Sequence, residues 1–371
     1  MKKLRIGIDA QAVGTNFSGN EIYIKNVIKH LGGHDRFEYV LFVNENYNYA
    51  GDFTDSSLRM TRFKSRSPFI RLPIEFPYKI NRESLDLLHV QYTGPFFASC
   101  PVVSTIHDIS FEHYPEYFTK KEAVLLKYGV RKTAKEAAKI ITVSEYSKQD
   151  IIDTYGVPED KVAVTYNSID TSFQVEKDAA KVEAVRSKYG IEGEYVLAVG
   201  NLQPRKNIPR LLQAYRSIRD GNPNVTDKLV IVGRKAWLFD SIFDALKGFK
   251  YIQDVIITDY VPKEDLPLLY NGAKLFVYPS IFEGFGLPVL EAMACGAPVV
   301  TSNTSCLPEI AGGAALLTDP FRTEDIAGGI LKLLTDSRLR QEYSRKGLAR
   351  AGEFSWEKTA RQTMDIYASV V

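Results

Sequence analysis

Two stretches of the sequence combine residue types that suit an anionic ligand. The first is Gly200-Asn201-Leu202-Gln203-Pro204-Arg205-Lys206-Asn207, which follows the apolar run Tyr195–Val199 and precedes a helical pattern. Two adjacent cations in a strand-to-helix turn suit an anion at the strand's carboxyl end, although a solvated Arg-Lys pair would read the same locally. The second stretch is Pro279-Ser280-Ile281-Phe282-Glu283-Gly284-Phe285-Gly286-Leu287-Pro288-Val289-Leu290-Glu291-Ala292, after the run Leu275–Tyr278. Gly284 and Gly286 let backbone come close to a ligand, and Pro288 suits a first helical turn. Amides near Gly286 and Leu287 would then point at an anion, with the helix dipole behind them. Glu283 precedes the turn, and Glu291 lies on the first turns of the helix, where a carboxylate can grip ribose hydroxyls. So many acids, glycines and prolines in one short stretch are hard to explain as packing. Neither stretch is GxGxxG or GxxxxGK[ST], so the dinucleotide and P-loop fingerprints are absent.

The first half of the chain carries fainter signals. The run 102–106 delivers His107 and Asp108 to a strand's carboxyl end. A lone histidine is more often structural, and His30, His34 and His113 read that way; the position of His107 favours function. Asp108 either orients His107 or caps the turn. Gly14-Thr15-Asn16-Phe17-Ser18-Gly19-Asn20 is either a flexible loop ending in the N-cap Asn20 or a loop that closes over a substrate. Thr258-Asp259-Tyr260-Val261-Pro262 and Gly233-Arg234-Lys235-Ala236-Trp237 each follow a strand. The latter reads as a solvated turn packed by Trp237. A basic stretch through Arg59, Arg62, Lys64, Arg66 and Arg71 is continued on the helix from Lys120 by Lys121, Lys127, Arg131 and Lys132. Such runs are mostly solvated faces; the sharper reading is contact with anionic lipid or a phosphate-bearing acceptor.

These residues need a frame, and the apolar pattern supplies one. Short runs at 4–8, 39–43, 87–90, 102–106, 140–143 and 162–164 alternate with amphipathic stretches such as 21–31 and 120–138. After a polar break the series restarts at 195–199, 229–232, 255–257, 275–278, 299–301 and 315–317, again with helical stretches between. Apolar strands joined by helical crossovers predict parallel sheets covered on both faces. The expected organisation is two doubly wound domains, 1–180 and 190–355, with the linker in the polar break 168–178, the charged helix after it and 190–193, and an isolated amphipathic helix at 356–371. Ligands of such sheets sit beyond the carboxyl ends of the strands, so two such domains facing each other would make a deep cleft.

Composition agrees with an ordinary folded chain. Of 371 residues, 45% are apolar, 12% aromatic and 25% charged, enough for two domains with large cores. A net charge of +2 argues against disorder and against wholesale nucleic-acid binding. Three cysteines make neither a disulfide framework nor a metal knuckle, which reads as a reducing compartment. The opening MKKLRIGIDAQAV has too short an apolar run for a signal peptide, broken by Arg5 and Asp9, and reads as a first buried strand. No segment approaches the length of a membrane span. The expectation is a cytoplasmic protein, at most peripheral on a membrane.

The sequence resembles glycosyltransferase family 4. Glu283 to Glu291 forms the Glu-x7-Glu motif of retaining glycosyltransferases with the GT-B architecture. Gly200 to Asn207, Glu283-Gly284-Phe285-Gly286-Leu287-Pro288 and Glu291-Ala292-Met293-Ala294-Cys295-Gly296-Ala297-Pro298-Val299 look like that family. So do His107-Asp108, Ser144-Glu145-Tyr146-Ser147-Lys148 and Asn167-Ser168-Ile169-Asp170. The resemblance covers nearly the whole chain and is most specific in the second half.

It implies an acceptor-binding first domain, a nucleotide-sugar-binding second domain, and a C-terminal helix packing back toward the first. Arg205 and Lys206 would hold the diphosphate, helped by amides of Phe285, Gly286 and Leu287. Glu291 would take the ribose and Glu283 a sugar hydroxyl. His107 would hydrogen-bond the donor sugar. The Gly14 turn would approach the donor phosphates or gate the cleft, and the turn at Val261 would contact the base through backbone. Many members carry Arg where this chain has Asn201, so Arg205 would supply that charge. No DxD-type acid pair stands out, so no metal or other cofactor is expected. The implied reaction is sugar transfer with retention from a nucleotide-sugar, GDP-mannose on overall likeness or else a UDP-sugar, to a growing glycan or lipid-linked acceptor. A sugar-nucleotide epimerase of the same fold, or a non-catalytic nucleotide-sugar-binding subunit, are the rivals from other classes.

Overall fold

The computed structural model describes residues 3–14, 19–32, 35–45, 47, 53, 58–65, 67–234 and 244–371. They form two compact units. The first takes the chain up to Pro115, then Thr119–Asn167 and Ser355–Val371; the second takes Glu116–Phe118 and Ser168–Phe354.

The first unit holds a seven-stranded sheet ordered β3-β2-β1-β4-β5-β6-β7, every neighbouring pair parallel. Its strands are β1 (Leu4–Asp9), β2 (Phe37–Asn44), β3 (Arg59–Phe63), β4 (Leu87–Gln91), β5 (Val102–Thr105), β6 (Lys139–Thr142) and β7 (Val162–Val164). The apolar runs are continuous because both faces are covered. Along β2, Phe37, Tyr39, Leu41 and Val43 enter one core with Ile6 and Ile8. Val40 and Phe42 enter the opposite one with Phe63, Phe76 and Ile80, as a two-residue side-chain period requires. The helix Trp356–Val370 belongs to this unit. Ser355 caps it by accepting from the Lys358 amide, and Trp356 and Tyr367 are buried in the β1–β2 core.

The second unit holds a six-stranded parallel sheet ordered β10-β9-β8-β11-β12-β13. The strands are β8 (Tyr195–Val199), β9 (Lys228–Val232), β10 (Val255–Thr258), β11 (Leu275–Tyr278), β12 (Val299–Ser302) and β13 (Leu316–Thr318). Helices Ile208–Gly221 and Thr323–Thr335 bury Leu211, Leu212, Ile326 and Ile330 against Leu229, Val277 and Val300. Strand order reverses between β1 and β4 in one sheet and between β8 and β11 in the other. In doubly wound sheets that reversal is where loops part and ligands enter.

The chain passes from one unit to the other at Asn167–Ser168, where the expected linker segment 168–193 begins, and helix Ala179–Lys188 belongs to the second unit. The polar segment before that helix is held in place, with Asn271 accepting from the Glu176 amide at 2.8 Å and donating to the Gln174 carbonyl at 2.9 Å. The basic stretch after Arg59 begins as a strand, β3, at the sheet edge. Two of its cations have partners: Arg59 pairs with Glu83 at 3.1 Å, and Arg62 donates to the carbonyls of Glu45 and Tyr47. Arg66 lies outside the described residues.

Candidate active site

In the second unit the turns after β8 and β11 are joined across the reversal point. The chain leaves β8 through Gly200 into a short 3-10 turn, Pro204–Lys206, and Asn207 starts the helix Ile208–Gly221 with φ 61°. The Asn207 amide donates to the carbonyls of Pro279 at 3.1 Å and Pro320 at 2.7 Å. The Arg205 carbonyl accepts from the Ile281 amide at 2.8 Å and from Ser280 Oγ at 3.0 Å. These bonds set the two cations against residues 280–283. Gly233 is required by the close passage of the turn after β9: a Cβ there would lie 2.0 Å from the Gly200 carbonyl oxygen.

Glu283 is the centre of this cluster. Its carboxylate is buried and meets Arg205 Nη1 at 2.5 Å and Lys206 Nζ at 2.6 Å. It also accepts from Ser280 Oγ at 2.5 Å and Tyr278 OH at 2.9 Å. Lys206 is itself buried, bonds the Tyr278 hydroxyl and sits 4.6 Å above that ring's centroid. Burial alone would raise the Glu283 carboxyl, but the charges of Arg205 and Lys206 with the hydrogen bonds from Lys206 and Ser280 outweigh it and hold it at about 2. The backbone is fixed too, with the Glu283 amide donating to Ser305 Oγ at 3.2 Å and Cys306 Sγ to the Glu283 carbonyl at 3.1 Å.

Just beyond, Gly286 caps helix Leu287–Ala294 with φ 93°. A side chain there would be strained by that backbone, and its Cβ would meet Leu307 at 2.7 Å. Phe285 is buried, edge-on to Phe354 at 5.8 Å. Glu291 is half-buried and accepts from Tyr270 OH at 2.9 Å. Its carboxyl is raised to about 7, chiefly by burial and further by Asp170, against the Tyr270 bond and the charge of Lys206. The two glutamates therefore have opposite electrostatics eight positions apart. The Val261 side chain is buried, so only its backbone is available to a ligand. Beside it, Arg234 stacks over Tyr260 at 3.9 Å. Asn201 is exposed. Lys235, Ala236 and Trp237 lie outside the described residues.

In the first unit, His107 is buried behind β5. Its Nε2 donates to Gln91 Oε1 at 2.9 Å, and its ring meets Tyr23 edge-on at 4.8 Å. Burial lowers its pKa to about 3, so the imidazole is neutral and Nδ1 is left as the acceptor. Asp108 takes the second of its two readings: Oδ1 accepts from the Ser110 amide at 2.9 Å, which caps the turn. The Gly14 amide donates to Glu21 at 2.8 Å with φ 83°, while residues 15–18 of that loop lie outside the described residues. His30 bonds the Asn26 carbonyl and His113 pairs with Asp150 at 2.7 Å, both structural; His34 lies outside the described residues.

Sequence reasoning missed three residues here. Tyr278 ties Glu283 to Lys206, and Ser280 ties Glu283 to the Arg205 carbonyl; a tyrosine ending a strand just ahead of the glycine motif was the available signal. His89 went unassigned. It bridges Tyr367 at 2.6 Å and Thr105 at 2.7 Å, and Thr105 in turn bonds Tyr23 at 3.0 Å. This buried chain joins the C-terminal helix to the wall beside His107.

Comparison with known proteins bears on this arrangement. Residues 182–350 match the family model for glycosyl transferases group 1, and residues 17–173 that for Glycosyltransferase Family 4. The O-antigen chain mannosyltransferase B of Escherichia coli is 37% identical over 266 residues, covering 71% of this chain and 69% of that one. The chain belongs to glycosyltransferase family 4. The fold of this glycosyltransferase is likewise that of solved GT-B enzymes. Sucrose-phosphate synthase from Thermosynechococcus elongatus superposes with a TM-score of 0.78 at 18% identity, covering 99% of each chain. Anabaena HepE, solved with UDP and glucose, superposes with 0.77 at 19% identity, covering 99% of this chain and all of the other. Fixed cations beside a helix N-terminus suit a group that gains negative charge, because they need not reorganise as the charge develops.

Proposed function

We propose that the protein transfers a mannosyl group from GDP-mannose, with retention of configuration, to a growing cell-surface glycan or lipid-linked acceptor. The observation that carries the reading is the Arg205–Lys206–Glu283 cluster at the β8/β11 reversal, together with the likeness to a mannosyltransferase of O-antigen chains. In this reading Arg205 and Lys206 bind the diphosphate, helped by the backbone of Phe285, Gly286 and Leu287. Glu291 takes the ribose, Glu283 a hydroxyl of the sugar, and backbone at Val261 the base. His107, a neutral imidazole with Nδ1 as acceptor, receives a hydrogen bond from a sugar hydroxyl. The cations assume the part a metal plays elsewhere, so the reaction needs none.

A UDP-sugar donor is the second reading, favoured by the UDP and glucose held by HepE. A panel of nucleotide-sugars scored by thermal stabilisation separates them, since a ligand raises apparent stability by mass action. GDP-mannose should give the largest shift. A larger shift with UDP-glucose would replace the donor assignment while leaving the site assignment intact.

A further inference from the structure

Large apolar side chains that face solvent gather on one surface of the first unit. Phe69 is 62% exposed, Ile74 64%, Phe97 75%, Val124 67%, Leu125 44% and Tyr128 65%. They come from three segments that touch. The Phe96 amide donates to the Leu72 carbonyl at 3.2 Å, Lys132 Nζ reaches the Phe96 carbonyl at 3.3 Å, and Lys121 Nζ lies 5.9 Å from the Phe69 ring centroid. On helix Lys120–Glu136 the buried side is Ala123, Val130, Thr133 and Ala134. At 3.6 residues per turn, Val124, Leu125 and Tyr128 fall on the opposite face, together with Lys121, Lys132 and Lys135. Six basic residues stand on this helix against two acidic ones. Both acids are engaged, Glu122 in the capping box with Thr119 and Glu136 with Lys132.

A contiguous apolar patch on a folded surface marks an interaction site. Here the apolar side chains are rimmed by lysines on one helix face, while the whole chain carries only +2. A face of that composition matches an anionic bilayer: rings and branched chains enter the acyl boundary while long lysine stems place their charges among the headgroups. We propose that this surface, formed by the outer face of helix Lys120–Glu136 with Phe69, Ile74 and Phe97, docks the protein on an anionic lipid bilayer. The docking face is distinct from the strand carrying Arg59 and Arg62, which are exposed but paired, Arg59 with Glu83 and Arg62 with the carbonyls of Glu45 and Tyr47. Nothing in the docking depends on the donor or the reaction proposed above.

Flotation of the full-length protein with vesicles tests this, without any nucleotide-sugar present. Binding is expected to phosphatidylglycerol–phosphatidylethanolamine vesicles, weakening as salt rises, and to be far weaker to phosphatidylcholine alone. Lys121→Ala and Lys135→Ala should each weaken binding about fivefold, the usual worth of one juxtamembrane lysine. Val124→Asp with Tyr128→Asp should abolish it. A melting temperature equal to that of the wild type certifies that these exposed-site variants fold. Failure to bind the anionic vesicles at low salt overturns the proposal, as does undiminished binding by the Val124→Asp/Tyr128→Asp variant. So does a dimer in light scattering that the same variant dissociates, with no vesicle binding, since the face would then be covered by a second copy.

Discussion

Lys206 Nζ lies 2.6 Å from Glu283 Oε1, in a position where both residues are buried. Glu283 thereby offsets one of the two positive charges that the proposed reaction assigns to the diphosphate. An incoming diphosphate competes with an internal carboxylate. Glu283→Gln should therefore bind inorganic pyrophosphate and nucleotide diphosphate more tightly than the wild type while turnover falls. Calorimetric titration with nucleotide diphosphate alone reads the first effect. Weaker nucleotide binding would mean that Glu283 grips the nucleotide rather than the sugar.

Breaking the same pair should also cost stability. Removing one partner of a buried ion pair leaves an uncompensated charge, at about 3–5 kcal/mol, so Glu283→Ala should lower the melting temperature more than Glu283→Gln. The pH dependence has a definite sign. The folded carboxyl sits at about 2, below its ordinary 4.5. Its contribution is thus present above pH 4.5 and lost as pH falls toward 2. Acid denaturation of Glu283→Gln should be less steep across that window, as followed by circular dichroism.

Arg205→Ala and Lys206→Ala should each cost about 2–4 kcal/mol in kcat/KM, the usual loss for a preorganised electrostatic donor. Their effects should not add, because both groups share one carboxylate. Near-normal turnover in a folded double variant would remove the diphosphate assignment.

How much of this was readable beforehand follows from the range of each interaction. The strands were legible because β8 and β11 are unbroken apolar runs, and β1 and β2 hold apolar runs at 6–8 and 39–43, whose residues are covered on both sides. β3 was not, because Arg59-Met60-Thr61-Arg62-Phe63 buries only Phe63 and reads as a basic surface. The division between the units falls where the polar break begins, but that Asn271, nearly a hundred residues downstream, holds the segment after it was not legible. Arg205, Lys206, Glu283 and Glu291 stood out through local turn chemistry. The pairing of Glu283 with both cations did not, since 77 residues of chain separate Lys206 from Glu283 and only the β8/β11 neighbourhood brings them together.

Activity should survive EDTA. The proposed stabilisation of the leaving group uses two cations, and among the described residues no group of three or more His, Cys, Asp or Glu side chains could hold a metal ion. Steady-state assays in chelator-treated buffer decide the point. A strict dependence on magnesium or manganese would show that the diphosphate charge is met differently.

Glu291 should trade stability for binding. Its folded carboxyl sits at about 7 instead of 4.5 because burial opposes the charge. Between those two values the folded state holds more protons than the unfolded one, so stability falls as pH rises through the window and is lowest above pH 7. Replacing the ionising group by a neutral one removes that penalty. Glu291→Gln should therefore be more stable than the wild type at pH 8, by about 1–3 kcal/mol at one pKa unit per 1.4 kcal/mol, with little gain at pH 4.5. If the carboxylate accepts the ribose hydroxyls, the same substitution should weaken nucleotide diphosphate by about 1 kcal/mol or more. In the wild type, nucleotide binding near pH 6.5 should release a proton from Glu291 that the variant does not release. Calorimetry in buffers of different ionisation enthalpy measures that proton in both proteins. Equal proton release by the two would place the ribose away from Glu291.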